Sequence, residues 1–204
     1  MATLAAVNEL GESIATLLRA RRDLLAAAGQ LNSLPAAFDI THLSTGKLSS
    51  TPPTAGMSIT CYQIGPSEFQ RQQPTVRNPA ASTTVPLELR YLVAAWPPAP
   101  ADEQAMIAWS FLELSRHPVL DRSVLLGGPT VWERGEIVQL LPDVTQPETL
   151  FQIWSAFKLP YRLCFTFTAR VIRISFGAAD EWPRVVASRF GFADADDPLT
   201  QAPA

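Results

Sequence analysis

Residues 86–120 read PLELRYLVAAWPPAPADEQAMIAWSFLELSRHPVL and decide the fold of this protein. The first half alternates between polar and apolar side chains, and its apolar positions are Leu87, Leu89, Tyr91 and Val93. A period of two is typical of a half-buried β-strand. Prolines at positions 97, 98 and 100 end the strand, because each proline lacks a backbone N–H and restricts the residue before it.

A helix is predicted directly after these prolines. It should begin near Asp102, because the positive end of the helix dipole favours acidic side chains. Its apolar positions recur at helical spacing and are Ile107, Phe111 and Leu114, widened by Ala105, Ala108 and Leu112. The remaining polar stripe is narrow and consists of Glu103, Ser110, Glu113 and His117. We therefore expect a helix that is covered on more than one side and ends at His117, before Pro118.

The N-terminal segment is rich in alanine and predicts a long amphipathic helix that ends near Gly29. Its apolar positions are Leu4, Val7, Leu10, Ile14, Leu17, Leu18, Leu24 and Leu25. We expect this helix to pack across a sheet, and the alternative is that part of it docks on a neighbouring subunit. The basic cluster Arg19, Arg21 and Arg22 is then either a solvated helix end or a set of ion-pair partners across an interface.

Further strands are predicted from alternating or β-rich segments, at residues 37–43, 57–64, 136–141 and 161–176. In the last of these, the apolar side changes around Ile172 to Ile174, which indicates a bulge or a passage from solvent onto a covered surface. The polar residues 44–56 predict a surface loop or a long hairpin tip. A second large helix should start at residues 145–148, because Thr145 and Glu148 have the spacing of a capping box and Pro147 is tolerated in the first turn. We expect its apolar face to pack on the longest strand.

These elements predict an α+β fold, with a single mixed or antiparallel sheet packed by two to three helices. Residues 1–176 would form this domain, and residues 177–204 a C-terminal extension that is partly disordered or binds a partner. Residues 65–84 form a loop longer than usual, and such loops are often functional. The candidate contact residues in the loop and around the extension are Arg71, Arg77, Phe176, Trp182, Phe190 and Phe192.

Composition argues against several functional classes. The net charge of -3 gives no electrostatic footprint for nucleic acid. The two cysteines, Cys61 and Cys164, lie in strand-like runs and predict buried free thiols rather than a disulfide framework. We find neither a secretory signal pattern nor a window that approaches the ~20 apolar residues of a membrane span. We therefore expect a soluble protein without an export signal.

Residues that could carry chemistry are few. The two histidines, His42 and His117, have no metal-ligand spacing around them, and His117 before a proline suits a helix cap. Gly127 and Gly128 predict a turn but lack the lysine and the following helix of a nucleotide-binding loop. We predict no enzyme, cofactor or metal site. Paired catalytic carboxylates can come from distant positions in the chain, and local spacing does not reveal them.

Three phrases resemble a known family, namely PLELRYLVAAW at 86–96, DEQAMIAWSFLELSRHPVL at 102–120 and PETLFQIWSAFKLPYRLCFTFTARVIRI at 147–174. Their order and spacing are similar to the N-terminal domain of cap, or tail-terminator, proteins of phage-tail-like contractile injection systems. The matching positions are Leu87, Leu89, Tyr91, Leu92, Glu103, Leu114, His117, Pro118, Leu120, Trp154, Pro160, Tyr161, Arg162, Arg170 and Val171. One departure is Cys164, where the family pattern tends to have serine.

The resemblance implies a tail-terminator-like fold and a structural role without catalysis. Such proteins form a homo-hexameric ring on the end of the tube and sheath distant from the baseplate, where they stop polymerisation and anchor the last sheath layer. The implied partners are further copies of the chain, the sheath protein and the inner tube protein. The implied location is cytoplasmic assembly into a phage-tail-like particle that is released or stays in the cell. A baseplate or tube-initiating adaptor and a small-molecule enzyme are the alternatives.

Overall fold

The computed structural model of the protein describes residues 2–31, 34–35, 37–67 and 83–176. The strands of this part of the chain are β1 (Ile40–His42), β2 (Met57–Pro66), β3 (Thr83–Ala95), β4 (Val119–Leu120), β5 (Val138–Asp143) and β6 (Cys164–Phe176). Its helices are α1 (Ala6–Ala27), α2 (Thr45–Ser50), α3 (Pro100–Arg116), α4 (Gly128–Val131) and α5 (Pro147–Ala156).

The strands form one sheet in the order β1-β2-β3-β6-β5-β4. β1 is parallel to β2, and the other neighbouring pairs are antiparallel. The predicted α+β fold with a single mixed sheet is therefore confirmed. A register shift on β6 between Ala169 and Ile172 confirms the predicted bulge. The extra residue shifts the alternation of β6 by one position, so the apolar side chains before and after the bulge lie on the same face of the sheet.

One face of the sheet is covered by α1 and α3, and we call it the helix face. The alternating residues of β3 point to it as predicted, with Leu89, Tyr91 and Val93 each 0% exposed. Tyr91 stacks on Phe167 of β6 with 5.2 Å between the ring centroids. α1 lies across this face, which confirms the expected packing of the N-terminal helix on the sheet, and it buries Leu10, Ile14 and Leu18.

The opposite face is covered only in part, by α2 and α5. There the buried cluster consists of Leu43, Leu48, Leu92, Ala94, Trp96, Trp154 and Phe157. The indole Nε1 of Trp96 donates to Ser58 Oγ at 2.9 Å. The half of β3 that contains Leu92 and Ala94 is thus buried on both faces. Farther along the strand, Arg90 is exposed, so the sheet there has one open face.

The segment 44–56 differs from its prediction. β1 spans only Ile40–His42, and because it runs parallel to β2 the connection has to cross over, which a hairpin tip cannot do. The connection contains α2 instead of a plain loop. The Ser44 side chain accepts from Lys47 N at 3.2 Å as its N-cap, and Leu48 is fully buried.

Helix starts also differ in detail from the sequence patterns. α5 begins at Pro147, within the predicted start at residues 145–148, but its N-cap is Gln146 and no side chain caps it. The capping box is therefore wrong, because the Thr145 hydroxyl pairs with Thr166 Oγ1 of β6 at 2.5 Å. α3 begins at Pro100, two residues before Asp102, because proline is tolerated in the first turn. A short helix, α4, follows the glycine turn where no helix was expected.

The buried side of α3 is not the one expected. Ser110 and Glu113 of the predicted polar stripe are 0% and 1% exposed, whereas Phe111 and Leu112 are 43% and 47% exposed. The reason lies in another helix: α1 packs on the polar side and supplies Arg21, whose Nε donates to Glu113 Oε2 at 2.9 Å. The helix end was predicted correctly, since His117 Nδ1 lies 2.8 Å from the Glu113 carbonyl oxygen.

Candidate functional site

Among the described residues, both histidines and the buried carboxylate of Glu113 make contacts within the chain. None of these residues form a group of three or more metal-ligating side chains. His42 lies 3.5 Å from Glu12, and burial lowers the pKa of this histidine despite that carboxylate. Glu113 is paired with two arginines, Arg21 and Arg116. No helix in the same ranges is long and apolar enough to cross a membrane.

The predicted basic cluster on α1 makes contacts within its own chain. Arg19 Nε donates to the Ile40 carbonyl oxygen at 2.7 Å, which ties α1 to β1. Arg21 pairs with Glu113 as described above. Arg22 donates to the Phe38 carbonyl oxygen and lies over the Phe38 ring, with 5.6 Å from Cζ to the centroid. These arginines hold α1 against β1, α3 and the residue Phe38, so they are not simply a solvated helix end, and a role in an interface stays a prediction.

The other candidate contact residues fall largely beyond the described part. Arg71 and Arg77 belong to residues 68–82, and Trp182, Phe190 and Phe192 to residues 177–204, which the described ranges do not include. Phe176 is the last residue of β6, and its backbone pairs with Thr83.

Three strands extend past the rest of the sheet. β2, β3 and β6 have 10, 13 and 13 residues, whereas β5 has 6 and β1 has 3. We call their far ends, residues 63–66, 83–88 and 172–176, the strand tip. β1 pairs only with residues 57–59 and β5 only with residues 166–170, so neither flanks the tip. The predicted contact loop and the C-terminal segment are both joined to this end of the sheet.

The strand tip has an apolar surface on the helix face. Ile64 pairs with the buried Leu89, and Val85 pairs with the buried Ile174, so both side chains point to the side of α1 and α3. They are nevertheless 52% and 38% exposed. The residues before α1 reach the neighbouring β6, where Ala2 N donates to the Arg173 carbonyl oxygen at 2.7 Å. They lie beside β6 and leave this corner of β2 and β3 exposed.

A polar trough of about 490 Å³ lies on the open face next to the strand tip. Its lining residues are Gln63, Gly65, Pro66, Glu88, Arg90, Leu141, Pro142, Asp143, Thr168 and Arg170. Arg90 lies 3.7 Å from Asp143, and Ser67 Oγ donates to Glu88 at 2.9 Å. Two carboxylates and two guanidinium groups balance each other, so the trough does not concentrate charge of one sign. Such a surface suits hydrogen-bonded contact with a polypeptide.

A second apolar surface lies at the other end of β6, and we call it the α3 patch. It is lined by Phe111, Pro142 and Phe165, and the next residue of α3, Leu112, is also exposed. The Phe111 ring packs edge-on against Phe165 with centroids 5.3 Å apart. This contact holds the ring in place while 43% of the residue stays exposed.

Sequence reasoning missed both apolar surfaces. The pattern assigned Phe111 to a buried helix face, and it gave Val85 no role. The signal that could have found the strand tip is strand length, since a strand of 13 residues beside one of 6 must project. No local signal identifies the α3 patch, because its exposure follows from where α1 packs.

The sequence profile of the Pvc16 N-terminal domain matches residues 9–188. The chain belongs to this family. The match confirms the resemblance drawn from the three sequence phrases, and it includes the strand tip and the α3 patch. No curated protein matches the sequence.

Solved structures resemble this chain at low sequence identity. One is the PVC sheath/tube terminator in the extended state, from an extracellular contractile injection system, with 16% identity and a TM-score of 0.54. The similarity covers 98% of this chain and 66% of the terminator, so the chain spans just under two thirds of that protein. Another is the anti-feeding prophage cap (AFP tube terminating cap), with 16% identity, a TM-score of 0.48 and coverage of 79% and 57%. The terminator likeness confirms the predicted fold.

Proposed function

We propose that this chain acts as the structural cap, or tail terminator, of a contractile injection system. It would sit on the end of the tube and sheath away from the baseplate, end polymerisation and anchor the last sheath layer. The observation that supports the proposal is family membership together with a fold whose likeness to a sheath/tube terminator extends over 98% of this chain.

A terminal cap has to form a ring, and we propose a homo-hexamer. A ring of identical subunits needs a head-to-tail contact between two different surfaces of the chain. Exposed apolar residues at two ends of one sheet are consistent with this requirement. The further proposed partners are the sheath protein and the inner tube protein, and the role needs no catalysis, cofactor, nucleic acid or membrane span. Assembly would take place in the cytoplasm, as part of a phage-tail-like particle.

Contacts to the sheath or to neighbouring subunits are proposed for the loop 65–84 and for the segment after Phe176. The candidate residues are Arg71, Arg77, Phe176, Trp182, Phe190 and Phe192. Both segments are joined to the strand tip, which supports a shared role. Arg19, Arg21 and Arg22 could contact a neighbouring subunit only with the N–H groups that are not already bonded within the chain.

Deletion of the gene in a particle-producing strain tests the function. We expect particles with a normal baseplate, with tubes of irregular length and with sheaths detached at the opposite end, as measured on electron micrographs. Particles that lack the baseplate or fail to start a tube would identify a baseplate or tube-initiating adaptor instead. If the particles are normal, the chain is not needed for their assembly, and an enzyme becomes the alternative to test.

Deletion of residues 177–204 tests the proposed role of the C-terminal segment. We expect the shortened chain to fold, since it keeps all six strands that the structure describes, and to lose sheath anchoring. Unchanged sheath attachment and particle length would contradict this role for the segment and leave the cap function intact.

A further inference from the structure

The outer edge of β1 is closed by side chains of α1. β1 stands at one end of the sheet, so among the described residues only its β2 side is paired with a strand. On that side, the Asp39 carbonyl oxygen accepts a 2.8 Å hydrogen bond from β2, and Leu43 N donates one of 2.9 Å to it. Successive residues of a strand direct their backbone groups to opposite sides. The carbonyl oxygens of Phe38 and Ile40 therefore point away from β2, along the free edge.

Two arginines of α1 bind these outward carbonyl oxygens. Arg19 Nε donates to the Ile40 carbonyl oxygen at 2.7 Å, and Arg22 donates to the Phe38 carbonyl oxygen. Both side chains are held in place, because Glu12 lies 3.7 Å from Arg19 and the Phe38 ring lies 5.6 Å from Cζ of Arg22. The guanidinium groups thus stand where the N–H groups of a further strand would have to be.

Other stretches of strand edge in the described residues are protected as well. Ala2 pairs with Ile174 in a parallel bridge, which occupies the edge of β6 beyond the end of β5. β2 carries a bulge between Cys61 and Gln63 and ends at Pro66. Bulges and prolines at an edge disfavour pairing with another strand. The arginines are therefore one of several features that keep further strands off this sheet.

We propose that Arg19 and Arg22 keep the β1 edge closed to strand addition between copies of this chain. The proposal does not depend on the cap function, because it concerns the free chain before any partner binds. Without the guanidinium groups, the outward carbonyl oxygens would accept from the N–H groups of a second β1 edge. Two such edges can pair in antiparallel orientation about a two-fold axis at Thr41. An open edge of this kind is a template for association.

A disulfide between two copies of residue 41 tests the proposal. Thr41 is exposed, and in the antiparallel pair it would lie opposite its own copy at a position without hydrogen bonds, with about 4.5 Å between Cα atoms. This separation suits a disulfide. Thr41→Cys is placed in a Cys61→Ala/Cys164→Ala background, once with both arginines and once with Arg19→Met/Arg22→Met. Under mild oxidation, we expect at least about tenfold more covalent dimer without the arginines.

Arg21→Met is the matched control, because it removes a third arginine from the same helix without freeing an edge carbonyl. It should give no more dimer than the chain with all three arginines. Sedimentation velocity without oxidant gives a second measurement. The Arg19→Met/Arg22→Met variant should self-associate at concentrations at which Arg21→Met still sediments like the unmodified chain.

Two results would overturn the proposal: equal dimer yields with and without Arg19 and Arg22, or self-association of the double variant without a disulfide at position 41. Thermal unfolding of each variant shows whether it is folded under the conditions of the assay. If the double variant is unfolded, Arg22→Met alone takes its place, since it frees only the Phe38 carbonyl oxygen. The same two results then decide.

Discussion

Arg21 on α1 and Glu113 on α3 form a 2.9 Å ion pair in which the carboxylate side chain is only 1% exposed. Arg116 approaches the other carboxylate oxygen at 3.1 Å. The pair joins the two helices that cover the same face of the sheet. It also explains why a charged residue of α3 points inward while Phe111 and Leu112 stay outside.

Removal of Arg21 should destabilise the protein. Arg21→Met leaves a buried carboxylate with Arg116 alone, and we expect a loss of about 1–3 kcal/mol, below the full effect of breaking a buried pair because Arg21 is one third exposed. Guanidinium unfolding measures the change. Arg122→Met, in the exposed turn after β4, is the control. Equal stability of the two variants would refute a structural role for the pair.

Gly11→Ala should destabilise the protein although alanine normally favours a helix by about 1 kcal/mol. A Cβ at Gly11 would overlap the His42 ring, so we expect a loss of about 1–3 kcal/mol. Gly46→Ala in α2 meets open space and should be neutral or stabilising. Thermal unfolding compares the two, and the double variant Gly11→Ala/His42→Ala should recover part of the loss. A Gly11→Ala protein as stable as Gly46→Ala would contradict the close packing.

Stability should fall when the pH drops from 7.5 to 5.5. Burial holds the pKa of His42 below its usual 6.5 in the folded protein, although Glu12 raises it in part. The unfolded chain therefore binds the proton first as the pH falls through 6.5, and the folded state loses stability. Unfolding free energies at the two pH values should differ less in His42→Gln. An identical pH dependence in both proteins would exclude His42 as the cause.

The two native thiols are free but half-buried, whereas the sequence predicted them buried, and they should still react slowly. Burial raises the pKa of Cys61 to about 11, and burial also raises the pKa of Cys164. At pH 8 the thiolate fraction of Cys61 is then about 100-fold below that of the unfolded chain, and the reaction rate with a disulfide reagent should fall accordingly. Absorbance of the released thiol measures both states. Fast labelling of the folded protein at Cys61 would contradict the burial.

Two aromatic residues of α5 should respond differently to truncation. Trp154 is 1% exposed and contacts Trp96 and Phe157, so Trp154→Ala should lower the stability by about 3–5 kcal/mol. Phe151 is 55% exposed and contacts Tyr161, so Phe151→Ala should lower it by less than about 1 kcal/mol. Denaturant midpoints of the two variants provide the comparison. Similar losses would mean that α5 packs on the sheet with a wider face.

Local patterns predicted the elements whose side chains repeat with a clear period. The alternation from Leu87 to Val93 gave β3 and its buried face, and the bulge in β6 was visible near Ile172. The end of α3 followed from His117 and Pro118. These features depend on residues that are close together in the chain, so they can be predicted from the sequence alone.

Other features depended on residues far apart in the chain. Thr145 bonds to Thr166 rather than capping α5, and the parallel pairing of β1 with β2 turned a predicted hairpin tip into a crossover. Neither partner can be read from local spacing, because each competes with a local alternative of similar energy.

The sequence by itself determined the fold class, the central strand and the family. The period of apolar residues depends only on neighbouring residues, and the order of the motifs can be seen without knowing which residues touch. Only the tertiary structure decided which side of α3 is buried, because Arg21 neutralises Glu113 from 92 residues away. It also decided that the long strands project beyond their neighbours. Surface exposure of an apolar side chain depends on what else packs nearby, and that is a property of the whole fold.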